Sequence, residues 1–292
     1  MPLSIPIQNL LKQKLNARHI NIKPAGGGCI NESYKVTVNS SRAYFVKVNS
    51  ASKFPHLFRK EKNGLQLIAA ARVIEVPVIT DVIETEEHQL LILEWIEQGK
   101  PSKLFWKKFG EQLAALHHIT NVQFGLPENN FMGSVPQSNV PSKNWVSFFI
   151  QHRLTPLVEK SINRNLLPGS YSEKVLGLYH FLPQVFDEAI PSLVHGDLWS
   201  GNYLCNQHAE PVLIDPAAYF GHRSVDLGMT TLFGGFDKEF YEAYNYHYTF
   251  PYNYAEQWEL CNLYPLLIHL LLFGKGYLPR LEAIVDKYAG HY

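Results

Sequence analysis

The octet HGDLWSGN, residues 195–202, sets Asp197 and Asn202 five positions apart, and a further carboxylate, Asp215, follows in LIDPAAYF. Short apolar runs precede all three, so each falls where a strand ends and a loop begins. An amide oxygen and a carboxylate, Asn202 and Asp215, form a hard-oxygen pair that suits Mg2+, which keeps its remaining positions for water and phosphate. Asp197 is then left clear of the metal to receive the proton of an acceptor hydroxyl, orienting it more than acting as a strong base. Phosphoryl transfer needs this combination, because it depends on alignment and charge neutralisation more than on covalent chemistry. Taken singly, Asp and Asn are equally at home as loop formers.

Two more ionisable residues belong to the pattern. Lys47 interrupts the apolar positions of AYFVKV, where an unpaired ammonium is costly unless it meets solvent or an anion. The helix expected over 54–71 carries Phe54, Leu57, Phe58, Leu65 and Ile68 on one face, and Glu61 falls on that same face, four residues from Leu57 and from Leu65. A carboxylate on the buried side wants a cation, and Lys47 is the nearest in sequence. Ahead of both lies GGGCIN, residues 26–31, in which Gly27 and Gly28 allow backbone N–H groups to approach a phosphate; a plain turn into a strand fits it as well.

The elements that must position these groups divide into two lobes. Alternating runs at 33–39 and 43–48 read as a hairpin, and VPVITDVIE with QLLILEWI adds two strands after the helix. Residues 1–97 therefore read as a small mixed sheet with one main helix, and 98–292 as a larger, mainly helical lobe, an α+β architecture. The second lobe opens with a stripe of Leu104, Phe105, Phe109, Leu113 and Leu116. Residues 120–144 read as a long loop, and 172–190 and 237–246 as helices. Between the lobes, Glu94-Trp95-Ile96 ends a buried strand, where backbone groups could meet the edge of a bound base.

With 26 basic and 26 acidic residues in 292, the chain has no net field to draw it to nucleic acid or an anionic membrane. Cys29, Cys205 and Cys261 form no CxxC pair, so neither a zinc site nor a redox dithiol is indicated, and a reduced, cytoplasmic setting is expected. The N-terminus lacks the build of a signal peptide, and LYPLLIHLLLF is too short to span a bilayer. His117-His118 reads as a cation pair closing a helix rather than a metal site. The aromatic run FYEAYNYHYTFPYNY has no accompanying basic residues, which favours packing over base stacking. Asp226 is expected to hold the backbone of the 195–197 loop.

His195, Asp197 and Asn202 keep the spacing of the protein-kinase catalytic loop, with Gly196 in place of Arg, and Asp215-Pro216-Ala217 stands where that fold has Asp-Phe-Gly. More specifically, GGGCIN, FVKVN with FRKEKNGLQLI, VHGDLWSGNYL, LIDPAAYFGHRSVDLGMTTLFGGF, FYEAY and YPLLIHLLLFG resemble the fructosamine and ketosamine 3-kinases, relatives of the aminoglycoside phosphotransferases. The likeness runs from residue 26 to about 277, and Trp199 is its distinctive member. It implies a protein-kinase-like fold and ATP- and Mg2+-dependent phosphorylation of the 3-hydroxyl of a ketosamine, free or on a glycated protein lysine. The unstable product would make this a deglycation reaction. By motif position, Gly27, Gly28 and Lys47 would meet the nucleotide phosphates, Glu61 would position Lys47, and Glu94, Trp95 and Ile96 would meet adenine. Asp197 would be catalytic, Asn202 and Asp215 would hold the metal, and Trp199 and His269 would face the sugar.

Three departures stand out. Ser224 follows Arg223 where the family usually has Glu, and Gln257 and Cys261 stand where Arg and Tyr are expected, which bears on local salt bridging. Cys29 in the glycine-rich loop suggests either an inert thiol in a monomer or a redox-dependent dimer. Another small-molecule kinase, of the aminoglycoside or choline type, is the competing enzyme. A pseudokinase binding module is the competing non-enzyme, and retention of all five polar residues speaks against it.

Overall fold

The computed structural model describes residues 3–26, 31–186 and 189–289. Helix α1 (Ile5–Lys14) precedes strands β1 (Ile20–Pro24), β2 (Glu32–Val38) and β3 (Arg42–Ser50); helix α2 (Leu57–Ala71) then leads to β4 (Ile79–Glu84) and β5 (His88–Glu94). The five strands form one antiparallel sheet in the order β1-β2-β3-β5-β4, and the expected hairpin pairs Glu32 with Val48 through to Val38 with Arg42. Strand alternation decides what each face covers. Val46 and Val48 join Val36, Leu90 and Ile92 beneath Leu3, Ile7 and Leu11 of the N-terminal segment. The opposite face packs Leu91 and Leu93 against Leu57, Phe58 and Leu65 of α2.

Both faces of the sheet are thus covered. The sequence reading assigned it a single main helix and left α1 and β1 unassigned. INIKP alternates only as far as Lys23 before Pro24, too short a run to stand out as a strand, and the apolar stripe of Leu3, Ile7 and Leu11 gains meaning once the sheet lies under it. Helix α2 starts at Leu57, so Phe54 lies in the turn before it.

The second lobe begins with α3 (Lys103–His117), the hairpin of β6 (Asn130–Met132) and β7 (Val135–Gln137), α4 (Trp145–Phe149), α5 (Thr155–Asn163) and α6 (Tyr171–Val185). Four short strands follow: β8 (Ser192–Val194), β9 (Tyr203–Cys205), β10 (Pro211–Leu213) and β11 (Tyr219–Gly221). Helices α7 (Ser224–Leu232), α8 (Lys238–His247), α9 (Tyr254–Cys261), α10 (Leu263–Phe273) and α11 (Leu278–Ala289) complete the chain. On α3, Phe105, Phe109, Leu113 and Leu116 are buried as the stripe predicts, but Leu104 is 60% exposed. One residue before Phe105 lies a rotation of about 100° away on a helix, off the buried face. Helix α6 stops at Val185, short of residue 190, because Asn253 and Gln257 of the α9 region donate to the Val185 carbonyl. No helix among the described residues is long and apolar enough to cross a membrane.

The lobes meet along one line. Lys60 pairs with Glu128, Asn63 Nδ2 donates to the same carboxylate, and the Leu213 amide donates to the Glu75 carbonyl at 2.9 Å. Pro216, standing where a kinase has Phe, lies against Gly64 of α2.

Candidate active site

Lys47 sits on the α2-facing side of β3 and is 2% exposed. Its Nζ lies 2.7 Å from Glu61 Oε1 and 2.5 Å from Asp215 Oδ1. The strand period turns Lys47 inward, the helix period turns Glu61 toward it, and Asp215 arrives from the other lobe. Burial draws the Lys47 pKa down, but Asp215 and then Glu61 outweigh it and the net direction is up. One ammonium facing two carboxylates leaves negative charge in excess. Burial, against the pull of Lys47 and with help from Asp215, pushes Glu61 up to about 7. Burial and then Asp215 push Asp197 well above the usual carboxylate range, and the Asn202 hydrogen bond only partly opposes them. A site charged in this way is complementary to an added cation.

Two short antiparallel ladders bring the loops together. The β8–β11 pairing sets Val194 opposite Tyr219, so the following His195 carbonyl accepts from the Ala217 amide at 2.9 Å. The β9–β10 pairing sets Tyr203 opposite Leu213, and the Ile214 amide donates to the Asn202 carbonyl at 3.1 Å. Asn202 and Asp215 therefore leave the same end of one hairpin. Asp226 accepts from the His195 and Gly196 amides at 2.7 and 2.8 Å, the role expected for it. Gly196 has φ +83°, and a Cβ there would stand 2.3 Å from the Ala217 carbonyl oxygen, which explains why Arg cannot occupy this position. A Cβ at Gly201 would stand 2.4 Å from the Trp199 ring, so this glycine lets the indole fold back across the loop. Asp215 itself holds φ +57°, a conformation uncommon outside glycine and often stored at functional sites.

Asn202 Nδ2 donates to the Asp197 carbonyl at 2.8 Å and to its carboxylate at 3.0 Å. With the nitrogen spent on Asp197, the Asn202 amide oxygen remains for a cation, as does the second oxygen of Asp215. No group of three or more His, Cys, Asp or Glu among the described residues forms a metal cage. Two hard oxygens beside surplus negative charge fit Mg2+ instead, a cation that retains several waters and binds phosphate oxygens.

Lys47, Glu61, Asp197, Asn202, Asp215, Trp199 and His269 all line one cleft. At its open end Trp199 meets Phe233 edge-on at 5.9 Å, and the His269 ring lies 4.8 Å from Phe233 and 5.0 Å from Tyr277. His269 Nδ1 is engaged with the Pro265 carbonyl at 2.7 Å, and burial lowers the pKa of the ring. Gly27, Gly28 and Cys29 lie outside the described residues. Glu94, Trp95 and Ile96 stand apart from the cleft lining just named. The Trp95 amide donates to the Ala43 carbonyl, and Glu94 Oε1 accepts from the Val78 amide.

Sequence reasoning missed Asn31, Lys60, Asn130 and Phe233, which join the cleft or its aromatic rim. Asn130 donates to the Ala218 carbonyl, and Gln137 Nε2 donates to Asn130 Oδ1 and to the Ala217 carbonyl. These two amides brace the strand after Asp215, and nothing in a loop rich in Asn and Pro distinguishes them in advance. The reading of His117-His118 as a terminal cation pair is corrected. His117 is fully buried between Tyr244 Oη (2.8 Å) and Asp226 Oδ2 (3.1 Å), and burial outweighs Asp226 to lower its pKa. The two departures at 224 and 257 meet each other: Ser224 Oγ donates to Gln257 Oε1 at 3.0 Å, a neutral buried pair where the family pattern implies an ion pair.

A Lys–Glu pair on an antiparallel sheet, facing an Asp, an Asn and a second Asp on loops of a helical lobe, defines a kinase-like phosphotransferase. The model of the fructosamine kinase family matches residues 4–290, and the chain belongs to that family. It is 38% identical over 267 residues to a Synechocystis protein named “Probable ketoamine kinase”, covering 91% of this chain and 89% of that one. It is 32% identical over 289 residues to the chloroplastic protein-ribulosamine 3-kinase of Arabidopsis thaliana, covering 97% and 87%. Among solved structures, a “Putative fructosamine-3-kinase” from Haemophilus somnus superposes with a TM-score of 0.87 at 25% identity, over 98% of this chain and 97% of that one.

Proposed function

We propose that the protein transfers the γ-phosphoryl group of ATP to the 3-hydroxyl of a ketosamine, free or carried on a lysine of a glycated protein. The observation that carries this is that one cleft gathers Asp197, the cation-seeking oxygens of Asn202 and Asp215, and the Trp199–His269 rim. Asp197 accepts and orients the 3-hydroxyl; its raised affinity for a proton suits it to carry that proton away. Lys47, steadied by Glu61, grips nucleotide phosphates, and Gly27 and Gly28 cover them. Asn202 and Asp215 hold Mg2+, which when bound neutralises charge on the phosphate oxygens. Glu94, Trp95 and Ile96 meet adenine through backbone groups, the Trp95 amide being already taken by the Ala43 carbonyl. Trp199 and His269 contact the sugar.

The same reading places the lobe boundary near residues 97 and 98 and the protein in a reducing, cytoplasmic setting, as a monomer unless Cys29 is oxidised. The reaction is tested by offering ATP and Mg2+ with ribulosamine, fructosamine, an aminoglycoside and choline. Phosphate on the ketosamines alone is expected, and Asp197→Ala should abolish it while the circular dichroism spectrum is unchanged. Transfer to another alcohol and to no ketosamine would overturn the substrate assignment.

A further inference from the structure

We propose that a cationic groove adjoining the acceptor end of the cleft binds a carboxylate carried by the amine half of the acceptor. The groove, of about 380 Å³, runs between the loop Lys53–Pro55, the β6–β7 turn, the end of α5 and the side of α10. Phe131 and Leu272 belong to its wall and to the wall of the cleft, so the two are continuous. His269 faces the cleft one turn before Leu272, and Leu271 faces the groove. An acceptor with its sugar against His269 therefore projects its amine-bearing half past Leu272.

The charge on this path has one sign. Lys53 from the loop after β3, and Lys160 and Arg164 from the end of α5, line the groove, and no acidic residue lines it with them. Among the described residues no carboxylate pairs with any of the three, whereas Lys60, on the cleft wall next door, is taken up by Glu128. The acidic residues that line the cleft, Glu61, Asp197 and Asp215, all sit at its phosphoryl end. The floor between the cations is apolar: Phe54, Phe131, Val135 and Leu271. A groove of this kind takes an anion mounted on an aliphatic chain. In a ketosamine, which is the acceptor this inference rests on, the sugar is constant and the amine component varies, so the anion belongs to the amine. Two sources supply the same chemistry: the α-carboxylate of a free amino-acid ketosamine, or an acidic side chain flanking a glycated lysine. Because the three cations lie near solvent, their attraction is screened by salt and moderate in size.

The test compares wild type with Lys160→Glu/Arg164→Glu on four acceptors: the fructosamines of propylamine and of glycine, and of the lysine side chain in the capped tripeptides Gly-Lys-Gly and Glu-Lys-Glu. Wild type is expected to show a lower KM for the carboxylate-bearing member of at least one pair. The double charge reversal should shrink that KM ratio about tenfold, as should raising the salt to 1 M in wild type. A shift in the glycine pair alone assigns the groove to free ketosamines, and a shift in the tripeptide pair alone assigns it to glycated protein. Equal KM changes on all four acceptors, or ratios unmoved by both reversal and salt, overturn the groove. In those outcomes the propylamine compound is still phosphorylated; if wild type phosphorylates none of the four, the ketosamine reading itself has failed, and the groove assignment with it.

Discussion

The side-chain nitrogen of Asn202 reaches back to both the carbonyl and the carboxylate of Asp197, at 2.8 and 3.0 Å, and so leaves its oxygen for a cation. One amide thereby serves two charged neighbours. Asn202→Ala is expected to remove a metal oxygen and to release Asp197, lowering kcat on the order of 10²-fold and raising the Mg2+ concentration needed for half-maximal rate. A Mg2+ titration of initial rates checks it; an unchanged Mg2+ midpoint would place Asn202 outside the metal site.

Lys47 is buried against Glu61 and also pairs with the part-exposed Asp215, so Lys47→Met leaves the two carboxylates without a cation between them. Breaking a buried pair of this kind costs about 3–5 kcal/mol. The cost should depend on pH. Glu61, already raised to about 7, rises further without Lys47, and a carboxylate with a raised folded pKa keeps its stability at low pH and loses it as pH passes upward through that value. Urea unfolding at pH 6 and pH 8 should therefore give the larger loss at pH 8.

Gly196 holds a positive φ against the Ala217 carbonyl. In Gly196→Ala both the dihedral and the 2.3 Å approach become untenable, so the loop must move and take Asp197 with it. Destabilisation of about 1–3 kcal/mol with loss of kcat of about 10²-fold or more is expected. Ala217→Gly on the same background should not restore activity, because the obstructing atom is a backbone oxygen.

Burial lowers His222 from 6.5 to about 3, and the neighbouring Arg223 adds to it. The unfolded chain takes up a proton below about pH 6.5 that the folded chain refuses, so this residue's share of stability is full above pH 6.5 and is lost as pH falls toward 3. The slope is about 1.4 kcal/mol per pH unit. His222→Asn, which keeps an acceptor for the Ser224 amide now bonded to Nδ1, should lose about 2 kcal/mol less than wild type between pH 6.5 and pH 5. Equal acid sensitivity of the two proteins would show that His222 charges freely in the fold.

The Ser224–Gln257 hydrogen bond invites a double-mutant cycle. Ser224→Glu alone places a carboxylate at a site 1% exposed and should cost about 3 kcal/mol or more. Adding Gln257→Arg should recover most of that loss in thermal unfolding. Additive losses would mean that position 257 cannot reach the new charge.

Much of this site was legible because its members sit at ends of periodic elements. The strand alternation around Lys47 and the i±4 spacing of Glu61 from Leu57 and Leu65 foretold that both face one interior, and they meet at 2.7 Å. Asp226 was anticipated from the likeness to the protein-kinase fold, in which an equivalent aspartate holds the catalytic-loop backbone. Leu104 failed because a five-residue apolar stripe does not say which of its end members is clipped by the helix turn. His117 failed for a different reason: its partners, Asp226 and Tyr244, are 109 and 127 residues away, and a histidine at a helix end looks solvated until they arrive.

The sequence by itself determined the residue types, their order and the face each turns from its own strand or helix, because those follow from periods of two and 3.6 residues that hold locally. It also carried the family likeness, in motifs that are contiguous strings. Only the tertiary structure decided that Lys47 answers to Asp215, 168 residues on, as well as to Glu61. It likewise decided which way Asn202 points, and that the departures at 224 and 257 satisfy each other. Such pairings depend on how two lobes pack and on which buried polar atoms then lack water, and no local period encodes that.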